Sequence, residues 1–282
     1  MPEHVILSLR DALKKFAIAE RTQDQAHIRP LHWHIACRLV VEGGFHPDTV
    51  TPRPPFRVER SSATRGRSFR LIYDPGAAHF SEQTVLGGLK TKDVDVLVST
   101  RDIGPCLAVS IKGSLKAFRN LTNRMEEAAG DCTNLHIAYP TLVYGFLHVI
   151  RANHEGTIGQ RNDIAILEDG SVDLGIQRYH DVMNRLAGRS DVRNEASRYE
   201  AIALALVETQ GDQLGTVRAD YPPTGSLLSL DSFFARLYST YDLRFIYSAP
   251  ALSSKTSRLE WAVDSPALQQ CEELELAPRL AD

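Results

Sequence analysis

The sequence predicts an α/β fold, a mixed central sheet flanked by helices, with the core order α-β-β-β-α-β. Three stretches predict it. Residues 26–43 carry helical periodicity and end in Gly43-Gly44. KDVDVLVS (92–99) alternates polar and apolar residues, and a five-residue turn joins it to CLAVSIK (106–112), so the two read as a hairpin of half-buried strands. SLKAFRNLTNRMEEAAG (114–130) reads as a helix opened by Ser114 and closed by Gly130, followed by a strand NLHIAY (134–139) that Pro140 stops.

The remaining elements follow the same rules. Residues 5–20 form an amphipathic helix rather than a secretory signal, because the stretch lacks a basic start and a long apolar run. Residues 46–66, rich in Pro, Arg and Ser, read as an exposed loop; Arg53, Arg57, Arg60, Arg65, Arg67 and Arg70 are either a solvated surface or an arm along a phosphate backbone. SFRLIY (68–73) reads as a strand and TLVYGFLHVIRA (141–152) as a helix. Beyond these, 162–172 reads as a strand and turn, 175–187, 193–209 and 230–241 as helices, 243–248 as a short strand, and the final 30 residues as a loosely held tail. The expected organisation is a core at 1–155 with a mainly helical extension at 156–282, packed as one continuous domain.

Composition narrows the class. With 282 residues, 43% hydrophobic and 24% charged, the chain is long enough for a full core, and it has no apolar run long enough to span a membrane. The four cysteines are scattered without a CxxC pair, which excludes a zinc ribbon and fits a reducing cytoplasm. A net charge of −3 neither advertises nor excludes nucleic-acid binding.

The residues with chemistry lie on the hairpin. Side chains alternate along strands, so Asp93 and Asp95 share a face on the first strand, and Ser110 and Lys112 share one on the second. Carboxylates and a lysine among apolar strand residues are costly to bury unless they serve each other or a ligand. On the following helix, Leu115, Phe118, Leu121, Met125 and Ala128 form an apolar stripe, with Arg119, Asn123 and Glu126 along its edge. Packing by that stripe would bring Glu126 toward Asp95 and Lys112. The plainer reading is a surface hairpin with a satisfied Asp95–Lys112 pair.

This arrangement, an Asp on one hairpin strand and a polar-x-Lys ending the next inside an α-β-β-β-α-β order, resembles the PD-(D/E)xK nuclease superfamily over roughly residues 26–140. Ser110-Ile111-Lys112 replaces the usual Glu-x-Lys or Asp-x-Lys, and Val94 rather than proline precedes Asp95. A subgroup of restriction enzymes has Ser-x-Lys and recovers the carboxylate from the following helix; Glu126 follows Lys112 by 126 − 112 = 14 positions, which is similar. The resemblance implies Mg²⁺ held by Asp95, Glu126 and the backbone carbonyl of Ile111. Lys112 would then orient or deprotonate the water, with Ser110 as a hydrogen-bonding neighbour. Asp93, Glu42 and Glu82 are further acid candidates. Lys116, Arg119, Asn120, Asn123 and Arg124 are candidate DNA contacts on the helix.

The resemblance further implies double-stranded DNA as substrate, a homodimer, and a role in restriction or related anti-phage defence with a cognate DNA methyltransferase as partner. RNA or single-stranded DNA are other substrates within the same class. An alternative is a catalytically inactive nuclease-fold subunit that binds DNA within a larger defence or transposition complex. His32, His34 and Cys37, at i, i+2 and i+5, do not share one helix face and read as packing and surface residues. His136 reads as a structural histidine on the 134–139 strand, and Asn162-Asp163 as a carboxylate motif without a partner.

Overall fold

The computed structural model describes residues 5–20, 25–60, 68–116, 121–157, 163–193 and 195–281. In chain order the elements are α1 (Leu9–Ile18), α2 (Arg29–Val41), β1 (Val50–Thr51), β2 (Phe56–Arg60), β3 (Ser68–Tyr73), β4 (Gln83–Leu86), β5 (Thr91–Val94), β6 (Val96–Thr100) and β7 (Gly104–Ser114). There follow α3 (Leu121–Ala138), β8 (Val143–Ala152), α4 (Leu174–Leu186), β9 (Ala201–Glu208), α5 (Leu230–Tyr241), α6 (Ser253–Thr256), β10 (Glu260–Trp261) and α7 (Leu268–Glu273).

The protein is mixed α/β. Its main sheet has five strands in the order β1-β6-β7-β8-β9. The first three are antiparallel neighbours, and β8 and β9 continue parallel to β7. Parallel neighbours need crossover connections, and the segments carrying α3 and α4 supply them. Strand alternation sorts the core into two layers. Val96, Val98, Val109, Ile111, Val143 and Leu147 face α1, α2 and α5. Leu97, Ala108, Tyr144, Phe146 and Ile150 face α3 and α4. Each such fully buried aliphatic or aromatic side chain contributes about 1.5–3 kcal/mol. Outside the main sheet, β10 pairs with β3 and β3 with β2, while β4 and β5 form a separate hairpin.

The strand at 68–73 and helices near 175–187 and 230–241 form as expected; the hairpin forms between β6 and β7, but the expected strand at 92–99 breaks at Asp95, and its first half, β5, pairs with β4 instead. Other elements change kind. The predicted helix at 141–152 is the central strand β8. Its run VYGFLHVIRA is apolar because both faces are covered, and periodicity cannot tell such a strand from a buried helix. Gly145 marks the strand: a Cβ there would meet the Phe233 ring of α5 at 2.8 Å. Within the predicted helix at 193–209 lies strand β9, where Ala201, Ala203 and Ala205 turn to one layer while Ile202, Leu204 and Leu206 turn to the other. The predicted strand at 134–139 is largely the last turns of α3, which runs through the exposed Gly130 instead of stopping there.

Four further corrections concern connections. The loop predicted at 46–66 contains β1 and β2. Residues 242–247 form a π-helix rather than a strand. In the stretch 162–172, Ile166 makes only isolated bridges, to His154 and Val172. The final residues are no loose tail: Trp261 is fully buried, its indole N–H donates to the carbonyls of Val40 and Val41, and Arg279 N–H also donates to Val41. The boundary at 155/156 falls between β8 and β9, which pair from Gly145↔Ala201 to Ala152↔Glu208. Among the described residues no helix is long and apolar enough to cross a membrane.

Candidate functional site

The site forms where the chain changes partners. β5 belongs to the β4–β5 hairpin, β6 to the main sheet, and Asp95 is the single residue between them. Its carboxylate turns into the sheet. One oxygen accepts the Ile111 N–H at 2.7 Å and the Ser110 hydroxyl at 3.1 Å. Asp95 is 8% exposed and Ser110 3%, so both hydrogen bonds are shielded from water. Ser110, which stands where the related pattern has a carboxylate, therefore orients Asp95. Ile111, whose carbonyl is the expected metal ligand, also donates its N–H to Asp95.

Two residues from elsewhere complete the cluster. His32 projects from α2, buried at 2% exposure, and Glu82 lies just before β4. One donor atom from each of His32, Glu82 and Asp95 lies within 4.8 Å of the others. His32 Nδ1 is 3.9 Å from Glu82 Oε1, and among the described residues His32 Nε2 has no hydrogen-bond partner. Burial lowers the His32 pKa to about 4, against the pull of Asp95, so its ring is neutral near pH 7 and offers a lone pair. Burial, together with the charges of Asp95 and Asp93, raises that of Glu82. Two carboxylates and a neutral imidazole in one place, with a buried nitrogen left over, fit a divalent cation. The nitrogen suits first-row transition ions better than Mg²⁺, which prefers oxygen alone.

Lys112 stands beside this cluster. With His27, His32, Asp95, Ile111 and Arg124 it lines a cleft of about 180 Å³. Its ammonium is 4.0 Å from Glu127 Oε1, and the other oxygen of Glu127 accepts from Arg124 Nη1 at 2.9 Å. Behind Lys112, its register neighbour His148 is fully buried; its Nε2 bonds the Ser114 hydroxyl at 2.8 Å, and burial lowers its pKa to about 3. Ser114 thus ends β7 instead of capping a helix.

The expected residues divide accordingly. Asp95, Ser110, Ile111, Lys112 and the alternative acid Glu82 come together, and Arg124 joins them. Glu126 does not: it is exposed on α3, and its neighbour Glu127 meets Lys112. Asp93 is exposed and accepts from Thr84 across the β4–β5 hairpin. Glu42 closes α2, bonding Arg38 at 2.6 Å and the Ala277 N–H at 3.1 Å. Lys116 pairs with Asp163 at 3.3 Å, Asn123 is exposed, and Arg119, Asn120 and Asn162 lie outside the described residues. Of the arginine-rich stretch, Arg53 pairs with Asp48, Arg57 with Glu59 and Asp74, and Arg70 with Asp264; Arg65 and Arg67 lie outside the described residues. His136 and Asn134 are buried on α3, where Asn134 Oδ1 accepts the N–H groups of Leu89 and Lys90.

Two residues were missed. Glu127 lies on the other flank of the expected stripe: Met125, Ala128, Cys132 and Leu135 are buried, and the edge that faces Ser110 and Lys112 is Arg124, Glu127 and Asp131, opposite the Asn123–Glu126 edge, and periodicity alone does not say which edge faces the strand. His32 was judged by its neighbours in sequence, whereas its partners are 82 − 32 = 50 and 95 − 32 = 63 positions away. Its one local signal is that α2 buries every residue but Arg29 and Arg38, which leaves a histidine inside. No family model, no curated protein and no solved structure matches the chain.

Proposed function

We propose that the protein is a divalent-metal-dependent endonuclease that hydrolyses phosphodiester bonds of double-stranded DNA on a PD-(D/E)xK plan. The observation that carries the reading is the convergence of His32, Glu82 and Asp95 within 4.8 Å, beside the cleft that Lys112 lines. Within the main sheet the succession β1, β6, β7, β8, with α2 before β1 and α3 between β7 and β8 and with β2 to β5 inserted outside that sheet, supports it, as does Asp95 at the start of β6 next to the β7 strand that carries Lys112. So does Arg124, a second cation lining the cleft.

Phosphodiester hydrolysis needs an activated water, stabilisation of charge on the phosphate and help for the leaving oxygen. His32, Glu82 and Asp95 would hold the cation, which when bound supplies Lewis-acid stabilisation and a more acidic water. Lys112 contributes positive charge at the scissile phosphate and a proton at Nζ that orients the attacking water. Ser110 and the Ile111 N–H keep the Asp95 carboxylate aimed into the cleft. Arg124 binds a phosphate oxygen. Cutting both strands of a duplex calls for two such sites, hence a homodimer. Sequence-specific restriction or anti-phage defence, with a cognate methyltransferase, is the role this reading carries. The proposed cation is Mg²⁺ or, given His32, Mn²⁺.

A second reading has its own observation. β7 carries no carboxylate, and the Ser110 that stands in the expected carboxylate's place commits its hydroxyl to Asp95, which suits a nuclease-fold subunit that binds DNA without cutting. The test is incubation of mixed plasmid and phage DNA with Mg²⁺ or Mn²⁺, comparing wild type, Lys112→Ala and an EDTA control. Cleavage by wild type alone is expected. Metal binding with DNA retention but no cleavage under any methylation state would favour the second reading, and neither binding nor cleavage would end both.

A further inference from the structure

Glu127 occupies an unusual position for an exposed acid. One carboxylate spans two cations that line the cleft: Lys112 from β7, 4.0 Å away, and Arg124 from one turn earlier on α3, at 2.9 Å. Its side chain is 41% exposed, so the contacts are solvated and weak enough to exchange. Arg124 and Lys112 also line the crevice that Glu127 shares with Ser110 and Asp131, so the three side chains bridge the strand and the helix. An i, i+3 pair of Arg124 and Glu127 alone would be an ordinary helix-surface pair. The reach to Lys112, across from α3 to β7, is what sets it apart.

We infer that Glu127 is a positioning residue that stands in for the substrate phosphate. Resting on the nuclease reading, it holds Lys112 and Arg124 together while the cleft is free of nucleic acid, and the scissile phosphate displaces it. Without it the two cations would repel each other and lose their spacing. With it, every binding event must first break two ion pairs, so the carboxylate lowers affinity for any polyanion while keeping the cleft ready for one.

The consequence is a gain of binding from loss of a side chain's charge, which a merely structural role does not produce. The experiment is fluorescence anisotropy of a short fluorescein-labelled DNA duplex with Ca²⁺ replacing the activating metal. It compares wild type with Glu127→Gln, Glu126→Gln and Arg124→Gln. Glu127→Gln is expected to bind about three- to fivefold tighter, the range an exposed ion pair allows. Glu126→Gln, an equal change in net charge one residue away and without a cation partner among the described residues, is expected to bind as wild type does. Arg124→Gln is expected to bind more weakly and to shrink the gain from Glu127→Gln in the double variant. Equal tightening by Glu126→Gln and Glu127→Gln would overturn the proposal in favour of bulk charge. So would unchanged or weaker binding by Glu127→Gln whose thermal unfolding midpoint matches wild type. If wild type neither binds the duplex nor cuts DNA with Mg²⁺ or Mn²⁺, the nuclease reading falls and takes this proposal with it. If wild type binds or cuts and only the Glu127 effect is missing, this proposal alone falls.

Discussion

Two clusters of charge lie beside the central sheet, one fully buried and one with its Glu82 exposed, and they are built in opposite ways. At the start of β8 and β9, Glu200 is surrounded by donors. One oxygen meets Arg189 at 2.8 Å and Arg244 at 2.7 Å; the other accepts the Tyr144 N–H at 2.7 Å and lies 3.5 Å from His136. Burial alone would raise the Glu200 pKa, but His136, Arg244 and the Tyr144 N–H outweigh it and hold the pKa down. At the other cluster, Asp95 and Glu82 face each other and a neutral His32, and the pKa of Glu82 is raised. The first cluster is closed, with both carboxylate oxygens answered. The second sets two carboxylates close together against burial and their mutual repulsion, beside the buried His32 Nε2. A protein core tolerates the first as structure; the second is a set of groups that could hold a cation.

The largest expected effect follows from the closed cluster. Glu200→Ala would strand two arginines whose side chains are 0% and 9% exposed. Removing one partner of a buried pair costs about 3–5 kcal/mol. Urea or thermal unfolding should show a loss of that size, or failure to fold, together with a detached loop at Arg189. Stability within about 1 kcal/mol of wild type would break the contrast, since exposed pairs behave that way.

At the open cluster the sign reverses. Asp95→Asn keeps an acceptor for the Ile111 N–H and the Ser110 hydroxyl, yet removes one of two neighbouring carboxylates. The metal-free protein should be as stable as wild type, or more stable by up to about 1 kcal/mol. Titration calorimetry with Mn²⁺ should show binding lost by about 100-fold or more, and cleavage should go with it. A large loss of stability with metal binding intact would make Asp95 a structural residue like Glu200.

How much of this was legible in the sequence depends on what each feature needs. The 92–112 hairpin was legible because its turn and alternation are local, and with it Asp95, Ser110 and Lys112. β8 was not, because a strand covered on both faces loses its alternation; Gly145 was the one trace of it. Nor was β9, whose alanines are good helix formers and serve here as room for the helices above. The closed cluster joins Glu200 to Arg244 and Tyr144 across 244 − 200 = 44 and 200 − 144 = 56 positions, and no local pattern marks it. Asp95 was legible because its hydrogen-bond donors, Ser110 and Ile111, lie on the next strand of the β6–β7 hairpin, while His32 became legible only when α2 was laid against that hairpin.

His32 sharpens the contrast further. Because burial holds its pKa near 4, its nitrogen stays available as pH falls through 6.5, where an exposed imidazole would take up a proton. Mn²⁺ affinity should therefore survive that range of pH with no inflection from the histidine. His32→Ala should weaken Mn²⁺ by about 10-fold or more and change Mg²⁺ much less, so that any preference for Mn²⁺ in cleavage disappears. Equal loss for both ions would assign His32 to packing around the carboxylates.

The surface arginines offer the smallest effect and a third regime. Arg57 is half exposed, contacts Glu59 and lies 3.8 Å from Asp74. Water screens these pairs, so neither the closure of the Glu200 cluster nor the excess of the Asp95 cluster applies. Arg57→Gln should change unfolding free energy by less than about 1 kcal/mol. If the arm only solvates the surface, the salt dependence of duplex binding should be unchanged. A fall of about one in the slope of log affinity against log salt would instead make Arg57 a phosphate contact, and extend the nucleic-acid surface from the cleft onto β2.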